Sequence, residues 1–293
     1  LVGILDGWVE LEGHLRRTDG EVIARYGREA KKMRAAVNEH FWDGEWYVRA
    51  TKDSGEPIGS KHNRDGRIYL NAQTWAILHR VAPDERIQIL LAAMENHLYR
   101  AYGPLLLWPA YRRPDAEIGY LTRYAPGARE NGGLYTHAAA WAVQAECMLG
   151  RRRQAWRLLK RFWPVFRGMD PDHYQAEPYV SPGNVDGPAS PHYGRGGWTW
   201  YTGSAAWLFR VATEWLLGVR PTYDGLLVDP CLPPHWKGFT MTRLFRGTTY
   251  VIDVSVERGP SQMLVDGKPH RSTLVPDLRD GRVHRIKVRI PKT

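Results

Sequence analysis

The sequence predicts a mainly α-helical protein whose paired helices form a toroid, followed by a small antiparallel β domain. Up to about residue 220 the apolar residues recur at helical spacing, and beyond it they alternate as they do in strands. Sharp turns at Pro83-Asp84 and Leu149-Gly150-Arg151 alternate with long loops rich in Gly and Pro, a pattern typical of antiparallel helix pairs. We therefore predict a helical region over 1–220 and a β region over 221–293.

The helical region contains a succession of periodic segments. The first places Leu5, Trp8 and Leu15 on one apolar face and is predicted to break at Asp19-Gly20. Further helices are predicted near residues 21–40, 69–82, 84–99, 134–149, 151–166 and 200–217. Between the second and third helices, Asp43-Gly44 stands between aromatic runs and predicts a short hairpin.

Three long loops separate the helices, at residues 50–68, 102–133 and 168–199. Loops longer than about 15 residues in a compact domain are usually functional or disordered. These loops are rich in Tyr, Trp, His and Gly, which favours a function.

The β region begins after Gly218-Val219-Arg220-Pro221, and Asp266-Gly267 and Asp280-Gly281 are its turn signals. Strands are predicted at residues 226–228, 239–241, 249–256, 262–265 and 285–290. Together they predict an antiparallel β appendage.

The composition excludes several classes of protein. No apolar run approaches the roughly 20 residues that span a bilayer, and no signal-peptide pattern is present, so neither a membrane partner nor secretion is predicted. Cys147 and Cys231 lack metal or redox spacing, and Cys147 lies in an apolar helical stretch. This predicts no metal, a buried free thiol and a cytoplasmic location.

Charge and aromatic content point toward the kind of ligand. The net charge of +10 is interleaved with apolar residues at helical or strand spacing, so no nucleic-acid partner is predicted, whereas an anionic small substrate suits it. The chain has 13 Trp and 15 Tyr residues but only 6 Phe. Because Trp and Tyr combine a flat apolar face with a polar group, they suit sugar rings, although a tightly packed helical core explains many of them.

The candidate functional residues lie in three loop segments, residues 129–137, 175–180 and 194–204. The first and third run into helices, whose N-termini direct backbone N–H groups and the positive end of the helix dipole toward a bound anion. Thr202-Gly203-Ser204 is therefore a candidate phosphate site, and His137 can add a donor or a positive charge.

Each of these residues also has a purely structural interpretation. Thr202 or Ser204 can be an N-cap, His137 a core histidine and Glu130 a cap of the helix that follows. Taken singly, none of them establishes a site.

Taken together, the segments resemble glycoside hydrolase family 94, the cellobiose, chitobiose and cyclic β-1,2-glucan phosphorylases. The matching stretches, in the family's order, are residues 42–47 with 55–60, 71–75, 130–137, 177–180 and 196–207. The longest of them is Gly196-Gly197-Trp198-Thr199-Trp200-Tyr201-Thr202-Gly203-Ser204-Ala205-Ala206-Trp207. Residues 232–236 resemble the start of the family's C-terminal β-domain, so the resemblance covers nearly the whole chain.

The resemblance implies an (α/α)6 barrel followed by a β-sandwich-like domain. It also implies a glycosyltransferase-type enzyme that performs inverting phosphorolysis of a β-glucosidic bond, with phosphate as co-substrate, no cofactor and an α-sugar 1-phosphate as product. By the same resemblance, Glu130 contacts sugar, and His137, Thr202 and Gly203 hold phosphate. Glu177 and Tyr179 are expected to line the sugar pocket.

The chemistry of phosphorolysis agrees with these residue types. An inverting hydrolase needs two carboxyl groups, one to protonate the leaving oxygen and one to activate water. A phosphorylase needs only the acid, because phosphate arrives already anionic and nucleophilic. An imidazole, a hydroxyl and a backbone N–H group then take the place of the base.

The resemblance also implies a missing group. The family's general acid is the Asp of an Asp-Trp-Asn-Asp-Gly segment, which this sequence does not contain and which is expected upstream of Leu1. Asp6 is the nearest candidate, but its helical surroundings favour a surface residue. We therefore expect an N-terminally truncated barrel, which is either a fragment or a subunit completed by a second chain. A homodimer is a further arrangement that the resemblance implies.

Two other functions stay open from the sequence. One is a carbohydrate-binding barrel without catalysis, and the other is an inverting hydrolase of another (α/α)6 family that uses Glu130 and Glu177 as its carboxyl pair. Phosphate dependence separates a phosphorylase from a hydrolase. The expected partners are a β-linked gluco-oligosaccharide and phosphate, but the linkage, the oligosaccharide length and the activity of this chain alone stay open.

Overall fold

The computed structural model describes residues 1–15 and 20–292. Its helices are α1 (Val2–Leu15), α2 (Gly20–His40), α3 (Leu70–Leu78), α4 (Asp84–His97), α5 (Thr136–Met148), α6 (Arg152–Phe162), α7 (Pro164–Arg167), α8 (Pro171–Tyr174) and α9 (Thr202–Arg210), with a 3-10 helix at Tyr120–Arg123 and a π-helix at Val211–Leu216.

The strands are mostly short before residue 219 and longer after it. They are β1 (Ala50–Thr51), β2 (Pro57–Ile58), β3 (Ile68–Tyr69), β4 (Tyr99–Arg100), β5 (Gly103–Pro104), β6 (Leu107–Trp108), β7 (Leu134–Tyr135), β8 (Asn184–Val185), β9 (Gly196–Gly197), β10 (Val219–Pro221), β11 (Gly225–Val228), β12 (Gly238–Phe245), β13 (Thr248–Glu257), β14 (Gln262–Val265), β15 (Lys268–His270), β16 (Leu274–Pro276) and β17 (Val283–Pro291).

The chain forms two compact units. The helical unit comprises Leu1–Ala145 and Arg157–Leu208, and the β unit comprises Glu146–Trp156 and Phe209–Thr293. A helical region followed by a β region is therefore present. The division at residue 220 stays a prediction.

The helices follow the predicted periodicity, and their ends differ where proline or left-handed backbone intervenes. α3 ends at Leu78, earlier than predicted, because Arg80 has a left-handed φ of 49°. The helix predicted over 151–166 is interrupted before Pro164, which begins α7. α2 begins at Gly20, whereas Asp19, the other residue of the predicted break, lies outside the described residues.

The predicted hairpin at Asp43-Gly44 is a single tight turn. Trp42 and Tyr47 form one isolated antiparallel bridge, and the N–H of Asp43 donates to the carbonyl of Trp46 at 3.1 Å. The long loops contain short strands of two residues each, which pair antiparallel with one another or with residues next to the helices.

The β unit contains two sheets with a common apolar core. One has the strand order β10-β11-β16 and the other β12-β13-β17-β14-β15. Both contribute to the core, whose fully buried members are Val219, Leu226, Val228, Leu232, Tyr250, Ile252, Val275 and Ile286. The predicted strands are confirmed, and Asp266-Gly267 forms the two-residue turn between β14 and β15. This gives a sandwich-like arrangement.

The larger sheet is mixed rather than antiparallel, so the prediction of an antiparallel β domain was wrong in this respect. β13 and β17 pair in parallel, from Thr249 beside Val283 to Glu257 beside Pro291. A parallel pair needs a long crossover connection. Residues 258–282, which contain β14, β15 and β16, provide it.

Candidate functional site

A small three-stranded sheet in the helical unit gathers the predicted loop segments. β7 pairs with β8, which pairs in turn with β9. The N–H of Thr136 donates to the carbonyl of Gly183 at 3.0 Å, and the N–H of Gly183 donates to the carbonyl of Gly197 at 3.1 Å. The residues that lead into α5 and into α9 are therefore held side by side.

His137 of α5 lies directly against the first turn of α9. A Cβ atom built on Gly203 would lie 2.6 Å from Nε2 of His137, so the imidazole occupies the space that a side chain at 203 would need. α5 begins at Thr136 and α9 at Thr202. The structure thus brings His137, Thr202 and Gly203 together at two helix N-termini, where backbone N–H groups favour an anion.

Three aromatic rings surround the imidazole of His137. The Tyr135 ring stacks on it with a centroid distance of 5.1 Å and an interplanar angle of 15°. The rings of Tyr201 and Trp141 stand edge-on to it, at 5.5 Å and 6.4 Å. Burial lowers the pKa of His137, so the neutral imidazole is favoured until a negative charge arrives.

The tyrosine beside His137 is itself constrained. Burial and the neighbouring Tyr201 raise the pKa of Tyr135 to about 12, and the two hydroxyl oxygens are 3.4 Å apart. Tyr135 is therefore a neutral hydroxyl at physiological pH. It is able to donate to a bound ligand without adding charge.

Buried polar atoms without partners concentrate at the start of α5. Within the described residues, Thr136 Oγ1, His137 Nδ1 and Trp141 Nε1 have no hydrogen-bond partner. Trp141 also lines a cavity of about 590 Å³ together with Trp75 and Asn71. Because buried polar groups in proteins are nearly always satisfied, such a group of atoms indicates a place for water or a polar ligand.

Glu130 is held by the residue that precedes it. The Nε atom of Arg129 lies 3.6 Å from Oε2 of Glu130. The guanidinium of Arg129 lies between two rings, 3.9 Å from the Trp198 centroid and 4.6 Å from that of Tyr124. The cation is therefore fixed by cation–π contacts, and it in turn limits the positions open to the carboxylate.

The next residue of the same motif has a structural role. Asn131 is fully buried, accepts from the N–H of Tyr111 at 2.7 Å and donates to the carbonyls of Tyr111 and Tyr124 at 2.8 Å. It holds the loop that precedes α5 in place.

Glu177 and Tyr179 contact Trp200, two residues before Thr202. The indole N–H of Trp200 donates to Oε1 of Glu177 at 3.0 Å, and the Tyr179 ring stands edge-on to the Trp200 ring at 6.3 Å. The pKa of Glu177 is lowered by its own backbone N–H group and by Trp200. Glu177 is therefore an anionic acceptor on the second of the three segments, residues 175–180.

Comparison with known proteins decides the family. Residues 2–218 match the family described as glycosyl hydrolase 94 superfamily, catalytic domain. The chain belongs to this superfamily. The two helix N-termini, the imidazole between them and the Glu177 segment all lie within the matched residues.

Several relatives in the superfamily are similar along most of this chain. A solabiose phosphorylase of Paenibacillus borealis is 37% identical over 97% of the chain and 37% of its own length. The cyclic beta-(1,2)-glucan synthase NdvB of Rhizobium meliloti is 38% identical over 85% of the chain and 9% of its own length. An N,N'-diacetylchitobiose phosphorylase of Vibrio proteolyticus is 34% identical over 87% and 32%. The chain thus spans little more than a third of these relatives, or less.

Solved structures share the fold at low sequence identity. A sialidase has a TM-score of 0.55 and 14% identity over 77% of this chain and 20% of its own. A GH78 family rhamnosidase of Bacillus sp. GL1 has a TM-score of 0.52 and 14% identity over 99% and 26%. At this identity the likeness concerns the fold alone.

The sequence left the roles of Ser204 and Asp6 open, and in the structure both side chains have partners within the protein. Ser204 is fully buried, its hydroxyl lies 2.8 Å from that of Ser181, and it donates to the carbonyl of Tyr201. Asp6 lies on α1 and pairs with Arg34 at 2.6 Å. Neither side chain is directed to the His137 cluster by these contacts.

The candidate segments already contained Arg129, Tyr135, Trp198, Trp200 and Tyr201, but the sequence assigned no role to any of them. Trp141 lies outside those segments and was missed. The positions of these side chains depend on pairing between segments far apart in the chain. The one signal available was the density of aromatic residues around Gly196-Gly197.

Over residues 1–15 and 20–292, no group of three or more His, Cys, Asp or Glu side chains is arranged to hold a metal ion. In the same ranges, every helix is too short or too polar to cross a membrane.

Proposed function

We propose that this chain supplies the phosphate-binding and sugar-binding groups of an inverting glycoside phosphorylase, which cleaves a β-glucosidic bond and forms an α-sugar 1-phosphate. One observation supports this above all others: the N-termini of α5 and α9 meet, with His137 Nε2 against Gly203. The phosphorylase names of the solabiose and chitobiose relatives support the reaction class.

In the proposed reaction, inorganic phosphate occupies the space between the two helix N-termini. His137, the Thr202 hydroxyl and the Gly203 N–H donate to its oxygens. A phosphate oxygen attacks the anomeric carbon from the face opposite the leaving sugar, so a new C–O bond to phosphate forms as the glycosidic bond breaks. The leaving oxygen takes its proton from a general acid, and the product has the inverted configuration.

The carboxylates of the site are proposed to bind sugar rather than to transfer protons. Glu130 is assigned to a sugar hydroxyl, and Glu177 to a second one together with Tyr179. The lowered pKa of Glu177 suits an acceptor and makes it a poor proton donor at neutral pH. We therefore assign the general acid to another segment or chain, and the isolated 293-residue chain is expected to bind without turning over.

The architecture proposed for the helical unit is part of an (α/α)6 toroid. α5 is buried on nearly all sides, as expected of an inner helix, with Ala138, Ala139, Ala140, Ala142 and Val143 fully buried. α6 instead has a strongly basic face, as expected of an outer helix. Alternation of inner and outer helices is the defining feature of such a toroid.

The remaining assignments follow from the same proposal. No cofactor is required, because phosphate is itself the nucleophile. The partners are a β-linked gluco-oligosaccharide, phosphate and either a second copy or a complementing chain. A cytoplasmic location is supported by Cys147 and Cys231, which are both buried and free.

The experiment that tests this function measures products as phosphate is varied. The complete gene product is incubated with β-linked gluco-oligosaccharides, and sugar 1-phosphate and free reducing sugar are quantified. We expect sugar 1-phosphate in proportion to phosphate. Free sugar formed without phosphate would instead establish a hydrolase, and binding of oligosaccharide without either product would establish a binding protein.

A further inference from the structure

Two aromatic rings at the edge of the candidate site are exposed and in mutual contact. The side chains of Trp200 and Tyr179 are 66% and 75% exposed, and their rings meet edge-on at 6.3 Å. Water-exposed indole and phenol faces do not contribute to the core. Adjacent exposed rings of this kind are a recognised feature of ligand-binding surfaces.

Trp200 is held in place despite its exposure. Its indole N–H donates to Oε1 of Glu177 at 3.0 Å, which fixes the orientation of the ring. Its backbone has a left-handed φ of 59°, which is uncommon and unfavourable for a bulky residue. The unfavourable backbone conformation of Trp200 holds its ring in solvent, where the ring adds little to the stability of the fold. We therefore expect the ring to bind a ligand.

The segment that contains Trp200 continues into the proposed phosphate site. Tyr201 stands edge-on to His137, and Thr202 begins α9. On the other side, Trp198 has a φ of 57° and lies over Arg129, next to Glu130. Trp198 therefore lies beside Arg129, which precedes Glu130, and Trp200 lies beside Glu177 and Tyr179.

We propose that Trp200 and Tyr179 form an additional sugar-binding subsite, which stacks a glucose unit beyond the two units joined by the cleaved bond. This inference rests on the proposed function. The ring faces would contact the C–H face of the sugar, and Glu177 would accept from its hydroxyls. The protein is thus built for gluco-oligosaccharides of three or more units rather than for disaccharides.

The test compares oligosaccharide lengths in calorimetric titrations of the complete gene product. The probes are β-1,2-, β-1,3- and β-1,4-linked gluco-oligosaccharides of two, three and four units, each with and without inorganic phosphate. The variants are Trp200→Ala, Tyr179→Ala and Trp200→Phe, the last of which keeps a ring but loses the N–H group. Trp8→Ala is the control, because Trp8 is also an exposed tryptophan in edge-on contact with a tyrosine, Tyr26.

We expect the three-unit probe of one linkage to bind the wild type roughly five- to tenfold more tightly than the two-unit probe. Trp200→Ala and Tyr179→Ala should each abolish this gain with oligosaccharide length and leave the binding of phosphate unchanged. Trp200→Phe should keep part of the gain, and Trp8→Ala should keep all of it.

Two results would overturn the subsite while leaving the proposed function intact. One is an unchanged gain with length in Trp200→Ala, and the other is a change of oligomeric state in that variant, which would make the ring a packing surface. If the wild type bound neither phosphate nor any disaccharide, the proposed function itself would be wrong, and the subsite with it.

Discussion

Residues with left-handed backbone occur in both units, but for different reasons. In the β unit, Arg246 and Asp266 have φ values of 48° and 50°, and each is followed by a glycine that is also left-handed. Each pair forms the two-residue connection of a hairpin, the geometry that matches the twist of the strands. In the helical unit, Trp198 and Trp200 have similar φ values but close no hairpin.

Two polar sites, one in each unit, differ in the same way. In the β unit, His284 lies between Asp266 and Asp280, with Nδ1 and Nε2 within 2.6 Å and 3.0 Å of their carboxylates. At the start of α5, Thr136 and His137 keep buried atoms without partners among the described residues. Left-handed backbone and paired charges at a turn stabilise the fold. Left-handed backbone and unpaired buried polar atoms outside a turn indicate a place where a ligand is expected.

The largest effect is expected from His137→Ala. A hydrogen bond to a charged group contributes about 1.5 to 3 kcal/mol, so phosphate should bind roughly 10- to 100-fold more weakly. Titration calorimetry with inorganic phosphate measures this, and His62→Ala, at an exposed histidine of another loop, is the control. Equal phosphate affinity in both variants would remove the helix N-termini from consideration as the anion site.

A smaller effect, about tenfold, is expected from Gly203→Ala. The added methyl group would lie 2.6 Å from His137 Nε2 and would displace the imidazole from the anion site. Gly27→Ala is the matched control, because Gly27 is also helical and its Cβ would meet nothing within 4 Å. Phosphate titration should separate the two variants, whereas their circular dichroism should be the same. Undiminished phosphate binding in Gly203→Ala would contradict the assignment.

Thr136 in the helical unit and Thr248 in the β unit are both buried, so substitutions at these two positions compare the units directly. Thr136 is 1% exposed and its hydroxyl has no partner among the described residues, whereas Thr248 is 0% exposed and its hydroxyl accepts from the N–H of Asp280 at 3.2 Å. Thr248→Val should lower the free energy of unfolding by about 1 to 2 kcal/mol, because it leaves a donor unpaired.

Thr136→Val should leave the free energy of unfolding unchanged or raise it, because the hydroxyl it removes is unsatisfied in the absence of a ligand. Denaturant unfolding of both variants gives the comparison. If Thr136→Val were the more destabilising of the two, the hydroxyl would have a structural partner, and the contrast between the units would fail at this position.

The smallest effect is expected from the histidine of the β unit. Asp266 and then Asp280 raise the pKa of His284, so its stabilisation is present below the unfolded pKa of about 6.5 and is lost as the pH rises through the folded value. The pKa values of both aspartates are lowered, so their share is present above about 3.9 and is lost as the pH falls through the folded values.

His284→Asn should therefore lower the Tm most between about pH 4 and pH 6.5. The decrease should be small, because both carboxylates are partly exposed and solvent screens the interaction. Above that window the wild type and the variant should converge. Thermal melts at a series of pH values test this, and a difference that does not vary with pH would contradict it.

The elements of this protein were predictable where neighbouring residues decide them. The helical spacing of apolar residues in α1 to α6 and their alternation in β11 to β14 and β17 are local patterns. Asp266-Gly267 is likewise sufficient to predict a hairpin turn. The resemblance of residues 130–137 and 196–207 to glycoside hydrolase family 94 was also a property of the sequence, and the family is confirmed.

What the sequence by itself determined is the order of the longer helices and strands, the family and the residue types of the proposed anion site. Tertiary structure alone decided that His137 lies against Gly203, that Trp198 and Trp200 have left-handed backbone, and that β13 and β17 pair in parallel. The physical reason is that these features depend on contacts between segments far apart in the chain. Such contacts impose conformations that local preferences disfavour.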